Sequence, residues 1–383
     1  MRTALVHDYL IDYGGAERVL SALHEIYPSA PIYVLIYRPN KLGKFADEFK
    51  NAKVIQSKFG YLPFADKLIS PLRFLLPVIW KSFNLKKFDL IISSASWAVT
   101  KGFTKKKGAV EICYLHTPPR YLYGYDTSRN WRNLWFSKLV AVYSAIVNHF
   151  MRQYDFNQAQ RVDYFIANSK NVAARVNKFY RRGSVVIYPP VNVEKFISSK
   201  IKPKVGDYFL TGGRMVASKN FDLVIKAAQK AKVNLKIFGI GPEERRLKKI
   251  AGGETEFLDQ IPDEELISYY KGAKAFILAG KDEDFGITPI EANACGCPAI
   301  AFRGGGFLET VTENKSGIFF DELTVESLSQ AIRKFDSSKP KAVIHRRTIT
   351  KKACIANAKK FSKERFVKEI EQYIMSHAGT TRS

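Results

Sequence analysis

The stretch Glu283-Asp-Phe-Gly-Ile-Thr-Pro-Ile-Glu291 places a carboxylate at each end of a turn. An apolar run, Ala275–Ala279, precedes it and a small-residue segment, Glu291–Gly296, follows. The pattern reads as strand, tight turn and helix N-terminus. A turn of this kind opens backbone N–H groups and a positive helix dipole toward a ligand, which is how proteins hold phosphates. The two carboxylates repel phosphate and suit hydroxyl groups instead. Phosphate donors beside hydroxyl acceptors describe a nucleotide-sugar pocket. The same spacing also fits an ordinary β–α turn with two solvated acids.

Further groups stand at comparable places. Gly212-Gly-Arg-Met-Val-Ala-Ser-Lys-Asn220 follows an apolar run and opens a helical pattern, so Arg214 and Lys219 both lie near a helix start. Two cations and a helix dipole make a diphosphate site; two ordinary surface cations in a lysine-rich protein are the plain alternative. Phe238-Gly-Ile-Gly-Pro242 ends another strand, and Gly241 lets a nucleotide base come close. Gly304-Gly-Gly306 precedes a helix, where packing and turn geometry explain it equally well. Tyr114-Leu-His-Thr-Pro-Pro-Arg-Tyr-Leu122 puts His116 at the carboxyl end of a strand, where open α/β sheets bind their ligands. Arg120 and Asp126 follow as candidates for the acceptor side. Gly14-Gly15 lies between a strand and a helix, without the full Gly-x-Gly-x-x-Gly of dinucleotide folds, and a simple tight turn explains it as well.

The elements that must carry these groups alternate. Strands are expected at Ala4–His7, Ile32–Ile36, Asp89–Ser93, Glu111–Leu115, Tyr164–Asn168 and Val185–Tyr188, with helical patterns such as Glu17–Ile26 and Lys138–Tyr154 between them. A second series runs through Tyr208–Thr211, Asn234–Phe238, Ala275–Leu278 and Pro298–Phe302, with Asn220 expected to cap a helix. Alternating βα units imply parallel sheets with helices on both faces. Two series imply two Rossmann-like domains, residues 1–190 and 191–360, with a hinge at Tyr188-Pro-Pro-Val-Asn192. Ser338–Lys360 reads as a connection plus a basic helix, and residues 361–383 as an amphipathic helix that must dock elsewhere.

At 383 residues and roughly 100–200 residues per domain, two domains fit the length. A hydrophobic content of 46% supplies large cores and argues against disorder. The net charge of +25 points to acidic partners: nucleic acid, anionic lipid or phosphorylated metabolites. Cys113, Cys295, Cys297 and Cys354 lack zinc-site spacing and read as buried free thiols in a reducing compartment. Met1–Asp8 reads as a first strand rather than a leader, and no apolar run reaches the roughly 20 residues of a spanning helix.

Taken in order, Gly14-Gly15, His116-Thr-Pro, Gly213-Arg214 with Lys219, and Glu283 with Glu291 resemble the retaining glycosyltransferases of the GT-B fold, family four. His116-Thr-Pro-Pro-Arg-Tyr-Leu-Tyr and Glu283–Glu291 are similar to the subgroup that builds bacterial surface polysaccharides, including O-antigen mannosyltransferases. The resemblance covers nearly the whole chain. It implies an α/β architecture of two Rossmann-like domains whose parallel sheets face an interdomain cleft, with the C-terminal helix crossing back to the first domain. It implies a catalytic set of His116, Glu283, Arg214 and Lys219. Donor-binding positions are implied at Gly15, Arg214, Lys219, Gly241, Glu283, Phe285, Gly286, Ile287, Thr288 and Glu291. Arg214 and Lys219 would neutralise the leaving diphosphate, assisted by the backbone N–H groups of Gly15, Gly286 and Ile287. Glu283 would hold sugar hydroxyls, Glu291 the ribose, and His116 would line the sugar beside the reacting carbon. No cofactor and no metal is implied, and no Asp-x-Asp motif is present.

The expectation is therefore a hexosyltransferase using a nucleotide sugar, GDP-mannose before a UDP-sugar, on a lipid-linked or growing glycan. Lys58–Lys87 carries six cations against Asp66, interleaved with Phe59, Tyr61, Leu62, Phe64 and the apolar run to Trp80. Basic and apolar residues together mark an interfacial surface, though a core-facing helix pair with snorkelling lysines fits equally. The expected location is cytoplasmic, peripheral at the inner face of the cell membrane. A sugar-nucleotide epimerase of the same fold is the rival enzyme. A basic nucleic-acid-binding protein is the rival from another class, but no RNA-binding motif and no stacking aromatic platform accompany the charge.

Overall fold

Apolar runs become central strands. Leu90–Ala95 is buried at every position, as a strand covered on both faces must be. In the computed structural model, which describes residues 1–125, 137–335 and 349–378, the chain separates into two units. The first holds residues 1–125, 137–190 and 363–378, the second 191–335 and 349–362.

The first unit carries seven parallel strands: β1 (Thr3–His7), β2 (Ile32–Val34), β3 (Val54–Gln56), β4 (Leu90–Ala95), β5 (Val110–Leu115), β6 (Tyr164–Ala167) and β7 (Val185–Val186). Their spatial order is β3-β2-β1-β4-β5-β6-β7. Side chains alternate across the sheet. Leu5, Ile92 and Ile112 join one apolar layer with the helix Gly15–Ile26, while Ala4, Val6 and Ile91 join another with Phe59, Ile79 and Trp80. The helix Lys363–Ala378 seats Phe366, Ile370 and Ile374 in the first of these layers. Its entry is held by Lys363 on Glu25 at 2.7 Å and by Arg365 donating to the Tyr188 carbonyl at 2.6 Å. The crossing helix implied by the resemblance is therefore present. On the opposite side, Lys101 and Asp155 form a fully buried ion pair that ties the long helix Ser137–Arg161 to the sheet.

The second unit has six parallel strands: β8 (Phe209–Gly212), β9 (Leu235–Phe238), β10 (Thr255–Phe257), β11 (Phe276–Leu278), β12 (Ala299–Phe302) and β13 (Gly317–Phe320). Their order is β10-β9-β8-β11-β12-β13. The helix Phe221–Ala231 buries Phe221, Val224, Ile225, Ala227, Ala228 and Ala231 against this sheet. In both sheets the order reverses beside the unit's first strand, between β1 and β4 and between β8 and β11. A crevice opens at such a reversal, outside the carboxyl ends of the strands.

Three strands were not expected from the sequence: β3, β10 and β13. Each lies at a sheet edge. The first two are short and only partly buried, so no apolar run marks them. Asn220 also corrects an expectation. It occupies the N-cap position at φ +52°, but its side chain makes no capping bond. Its Nδ2 instead donates to the Ala279 carbonyl at 2.9 Å, joining the loop after β8 to the end of β11.

Candidate functional site

In the second unit the sheet's reversal collects most of the charged candidates. The β8 loop leaves through Gly213, with Arg214 exposed and Lys219 half-buried in the short turn Ala217–Lys219. Lys219 folds back over the loop: its Nζ lies 3.5 Å from where a Cβ on Gly213 would be. On the neighbouring strand end, the Glu283 Oε2 stands 3.5 Å from the corresponding position on Gly280, and the Ser218 carbonyl oxygen 3.7 Å from it. Two strand-end glycines thus make a low floor, with an ammonium group beside one and a carboxylate beside the other.

The glycines next door are steric necessities. A Cβ on Gly241 would lie 2.3 Å from the Met215 carbonyl oxygen, so the β9 loop is packed directly on the β8 loop. Backbone bonds fix the same contact, from Gly213 N to Phe238 O at 3.0 Å and Met215 N to Ile240 O at 2.9 Å. After β11, Gly286 turns at φ +89°, a left-handed conformation that favours glycine. The helix then runs Thr288–Ala294, with Pro in its first turn and Glu291 bonding through its N–H to the Ile287 carbonyl at 3.1 Å. Glu291 therefore lies inside the first turn rather than at the end of the preceding loop, and its side chain is buried. Ile287 and Thr288 are half-buried at the helix start. Phe285 is 3% exposed, its ring edge-on to Phe361 at 5.6 Å, which is a packing position. Gly306 N donates to the Glu283 carbonyl at 2.8 Å, so the triple-glycine turn braces the Glu283 loop. Asn293 anchors the helix from behind: its Nδ2 donates to the Cys297 and Ser316 carbonyls, and its Oδ1 accepts from Asn357 Nδ2 at 3.0 Å.

In the first unit His116 follows β5 and is buried. Its Nε2 lies 2.8 Å from Ser94 Oγ, Ser94 Oγ lies 3.0 Å from His7 Nδ1, and His7 Nε2 lies 3.4 Å from Glu17 Oε1. Glu17 Oε2 accepts from the Gly14 N–H at 2.8 Å, so the glycine pair ends in this same network. Gly15 begins the helix. Asp8, fully enclosed, accepts from Ser96 Oγ at 2.7 Å, Trp97 N at 2.6 Å and the Thr100 hydroxyl, which pins the β4 loop across the reversal. None of His7, Asp8, Glu17 and Ser94 was expected from the sequence. The available signal was a polar residue closing an otherwise apolar central strand. Thr117 accepts from Arg175 at 3.0 Å, and Arg120, half-buried, opens the short turn Arg120–Leu122. Asp126 lies outside the described residues.

The Lys58–Lys87 segment divides. Trp80 is buried and donates to the Ala98 carbonyl at 2.8 Å, and Arg73 is buried against the rings of Tyr121 and Tyr143. Both belong to the core rather than to an interfacial surface. Tyr61, Phe64, Phe74 and Val78 are exposed, as are Lys58, Lys67, Lys81, Lys86 and Lys87. The helix Ser137–Arg161 adds a row the sequence reading missed: Leu139, Val142, Ile146 and Phe150, at helical spacing and 56–74% exposed.

The four cysteines are buried and free, and burial pushes Cys113, Cys295 and Cys354 up to about 12. Among the described residues no His, Cys, Asp and Glu group could hold a metal, and no helix is long and apolar enough to cross a membrane.

Residues 13–195 match the model of Glycosyltransferase Family 4 and residues 192–361 that of glycosyl transferases group 1. The chain is similar to mouse alpha-1,3/1,6-mannosyltransferase ALG2, at 25% identity over 94% of this chain and 93% of that protein. It is 35% identical to the GDP-mannose-dependent alpha-(1-6)-phosphatidylinositol monomannoside mannosyltransferase of Mycolicibacterium smegmatis, over 31% of this chain and 36% of that protein. Among solved structures, Anabaena HepE in complex with UDP superposes with a TM-score of 0.67 at 17% identity, covering 98% of this chain and all of that one, a likeness of fold.

Proposed function

Because the chain belongs to the family-four glycosyltransferases of the GT-B fold, we propose that it moves mannose from GDP-mannose to a lipid-linked or growing glycan, with retention at the transferred carbon. The observation that carries the proposal is the floor between β8 and β11, where Gly213 and Gly280 are flanked by Lys219 and Glu283. A small floor admits a diphosphate closely. The cations meet the charge that develops as the glycosidic bond breaks, and a carboxylate one strand away accepts sugar hydroxyls.

The proposed roles follow. Arg214 and Lys219 stabilise the leaving diphosphate, with the backbone N–H groups of Gly286, Ile287 and Gly15 assisting. Glu283 grips the sugar and Glu291 the ribose. Gly241 leaves room for the base, Phe285 and Thr288 shape the turn, and His116 lines the sugar. Retention without a dedicated nucleophile suits attack on the face the diphosphate leaves, the departing phosphate taking the acceptor's proton. Mannose is favoured by the likeness to two mannosyltransferases, one of them GDP-mannose-dependent. No metal is required by this scheme.

The acceptor side belongs to the first unit, with Arg120 as a contact. A peripheral position on the cytoplasmic face of an anionic membrane is supported by the exposed cations and apolar side chains of Lys58–Lys87 and by the row Leu139, Val142, Ile146 and Phe150. Surface polysaccharide synthesis is the process such a transferase would serve.

Thermal-shift screening against GDP-, UDP- and ADP-sugars tests the donor, since a ligand bound only by the native state raises apparent stability. GDP-mannose should give the largest shift. A larger shift with a UDP-sugar replaces the donor. Epimerised donor formed without any acceptor overturns transfer in favour of epimerisation.

A further inference from the structure

Tyr9 and Trp97 hold equivalent places. Each is the second residue past the carboxyl end of a strand, Tyr9 after β1 and Trp97 after β4, and these strands pair directly, with His7 opposite Ser94. Between them lies the reversal of the first sheet, where a crevice opens. The two rings meet edge to face, with 6.4 Å between centroids at 61°. Tyr121, from the turn after β5, tilts against Trp97 at 5.5 Å and 40°. All three are half-buried and pack on the apolar layer that holds Val6 and Ile91.

Trp97 is held in place by its backbone and its neighbours. Its backbone N–H donates to Asp8 Oδ2 at 2.6 Å, and the same carboxylate takes the Ser96 and Thr100 hydroxyls. Tyr121 is fixed in turn by Arg73, whose guanidinium lies 5.6 Å over its ring and donates to Asn148 Oδ1 at 3.0 Å. Little conformational entropy is left to lose when a ligand lands on such a ring. The indole N–H stands apart. Among the described residues no group accepts from it, and it is not enclosed. The Trp80 N–H, by contrast, is spent inside the core on the Ala98 carbonyl at 2.8 Å. Trp97 therefore offers two things at once, part of an apolar face and one unspent donor.

Three kinds of acceptor group can be weighed against that pair. A lipid chain matches the face and leaves the donor unused. A phosphate matches the donor but not its surroundings, because the enclosed Asp8 carboxylate is bonded to the Trp97 backbone and repels a second anion where the dielectric is low. A pyranose matches both, with a patch of C–H bonds on one face of the ring and hydroxyl oxygens around its edge. We propose that Trp97, with Tyr9 at its edge, is an acceptor platform that takes an uncharged sugar ring, so that the acceptor is a growing glycan rather than a bare lipid phosphate. The inference rests on the reading that the chain is a transferase with its acceptor in the first unit.

The test uses simple sugars as probes. Saturation-transfer difference NMR is recorded on the full chain with millimolar methyl pyranosides of mannose, glucose, galactose, N-acetylglucosamine and rhamnose, with GDP present to fill the donor side. At least one glycoside should receive saturation, strongest on the C–H protons of one ring face. Trp97→Leu should raise its dissociation constant about tenfold. Trp97→Phe keeps a ring and loses the donor, and should raise it about threefold, the scale of one hydrogen bond. GDP affinity, read by calorimetry, should hold in both variants. Trp97→Phe serves alone if Trp97→Leu does not fold. The proposal is overturned if no glycoside binds, if GDP displaces every one that does, or if the variants bind as tightly as the wild type. Failure of the parent reading looks different: glycosides held through Trp97 by a chain that ignores GDP-mannose would keep the platform and remove the donor.

Discussion

A Cβ on Gly239 would lie 2.1 Å from the Gly213 carbonyl oxygen. The residue also turns at φ +106°. Gly239→Ala must therefore push the β8 and β9 loops apart or strain both. We expect a stability loss of about 1–3 kcal/mol, and a weaker nucleotide diphosphate affinity because Arg214 rides on the displaced loop. Denaturant unfolding and calorimetry check the two effects. Unchanged affinity in a destabilised variant would detach the β8 loop from the diphosphate.

Arg214→Ala and Lys219→Ala should each lower turnover by roughly 10²–10³-fold, the cost of losing one group aimed at a developing anion. Arg214 is exposed and Lys219 lies half-buried in a short surface turn outside the core, so folding should survive. Near-normal kcat in both folded variants would refute the assignment.

Glu291→Gln and Glu283→Gln should behave differently. Glu291 is buried in the first turn of its helix, and its loss should weaken binding of the free nucleoside diphosphate. Glu283 stands by Gly280 on the strand-end floor, and its loss should spare that binding but impair reaction of the sugar nucleotide. Calorimetry with both ligands separates them, and equal loss of diphosphate affinity would sink the division of labour.

Stability should fall as pH rises from about 4.5 to about 7, through Glu111. Burial pushes this carboxyl from its ordinary 4.5 up to about 7, against the pull of the Gly102 and Phe103 N–H groups. Between those values the folded chain holds a proton that the unfolded chain releases, so the contribution is full below 4.5 and lost as pH rises through 7. The difference is on the order of 3 kcal/mol. Urea unfolding of the wild type and Glu111→Gln, at pH 5 and pH 8, should show the wild type's relative stability greater at pH 5. An equal difference at both pH values contradicts this.

Vesicles containing anionic lipid should bind the protein, less so as salt rises, since each cation near such a surface contributes about 1 kcal/mol within a Debye length. Reversing Lys81, Lys86 and Lys87 to Glu should weaken binding without affecting the donor. Ile146→Asp with Phe150→Asp should remove the salt-resistant part. No preference for anionic over neutral lipid at low salt would leave the exposed apolar row to another partner.

Much of the fold was written in apolar runs, because a central parallel strand has no polar face to interrupt it. Leu90–Ala95 and Phe276–Leu278 show this, whereas Val54–Gln56 and Thr255–Phe257 lie at edges and carry no such signature. The strand-end glycines and Arg214, Lys219 and Glu283 were visible for a similar reason: they sit beside the runs in sequence. The His7–Ser94 contact joins residues 87 positions apart, and only register creates it. Arg73 and Trp80 could be read either way from the sequence, because a short amphipathic stretch does not say which of its faces meets the core. Arg73 is held inside by two rings, a placement its charge conceals.

The helix Lys363–Ala378 completes a core whose other members lie before residue 190. During synthesis the socket for Phe366, Ile370 and Ile374 must therefore wait, open and apolar, while Val191–Ser362 is translated. At 5–20 residues per second that delay is on the order of ten to thirty seconds. The second unit has all of its own strands before the first can close. The order of maturation is thus reversed relative to the order of translation, and the interval is when a nascent chain of this kind most needs a chaperone.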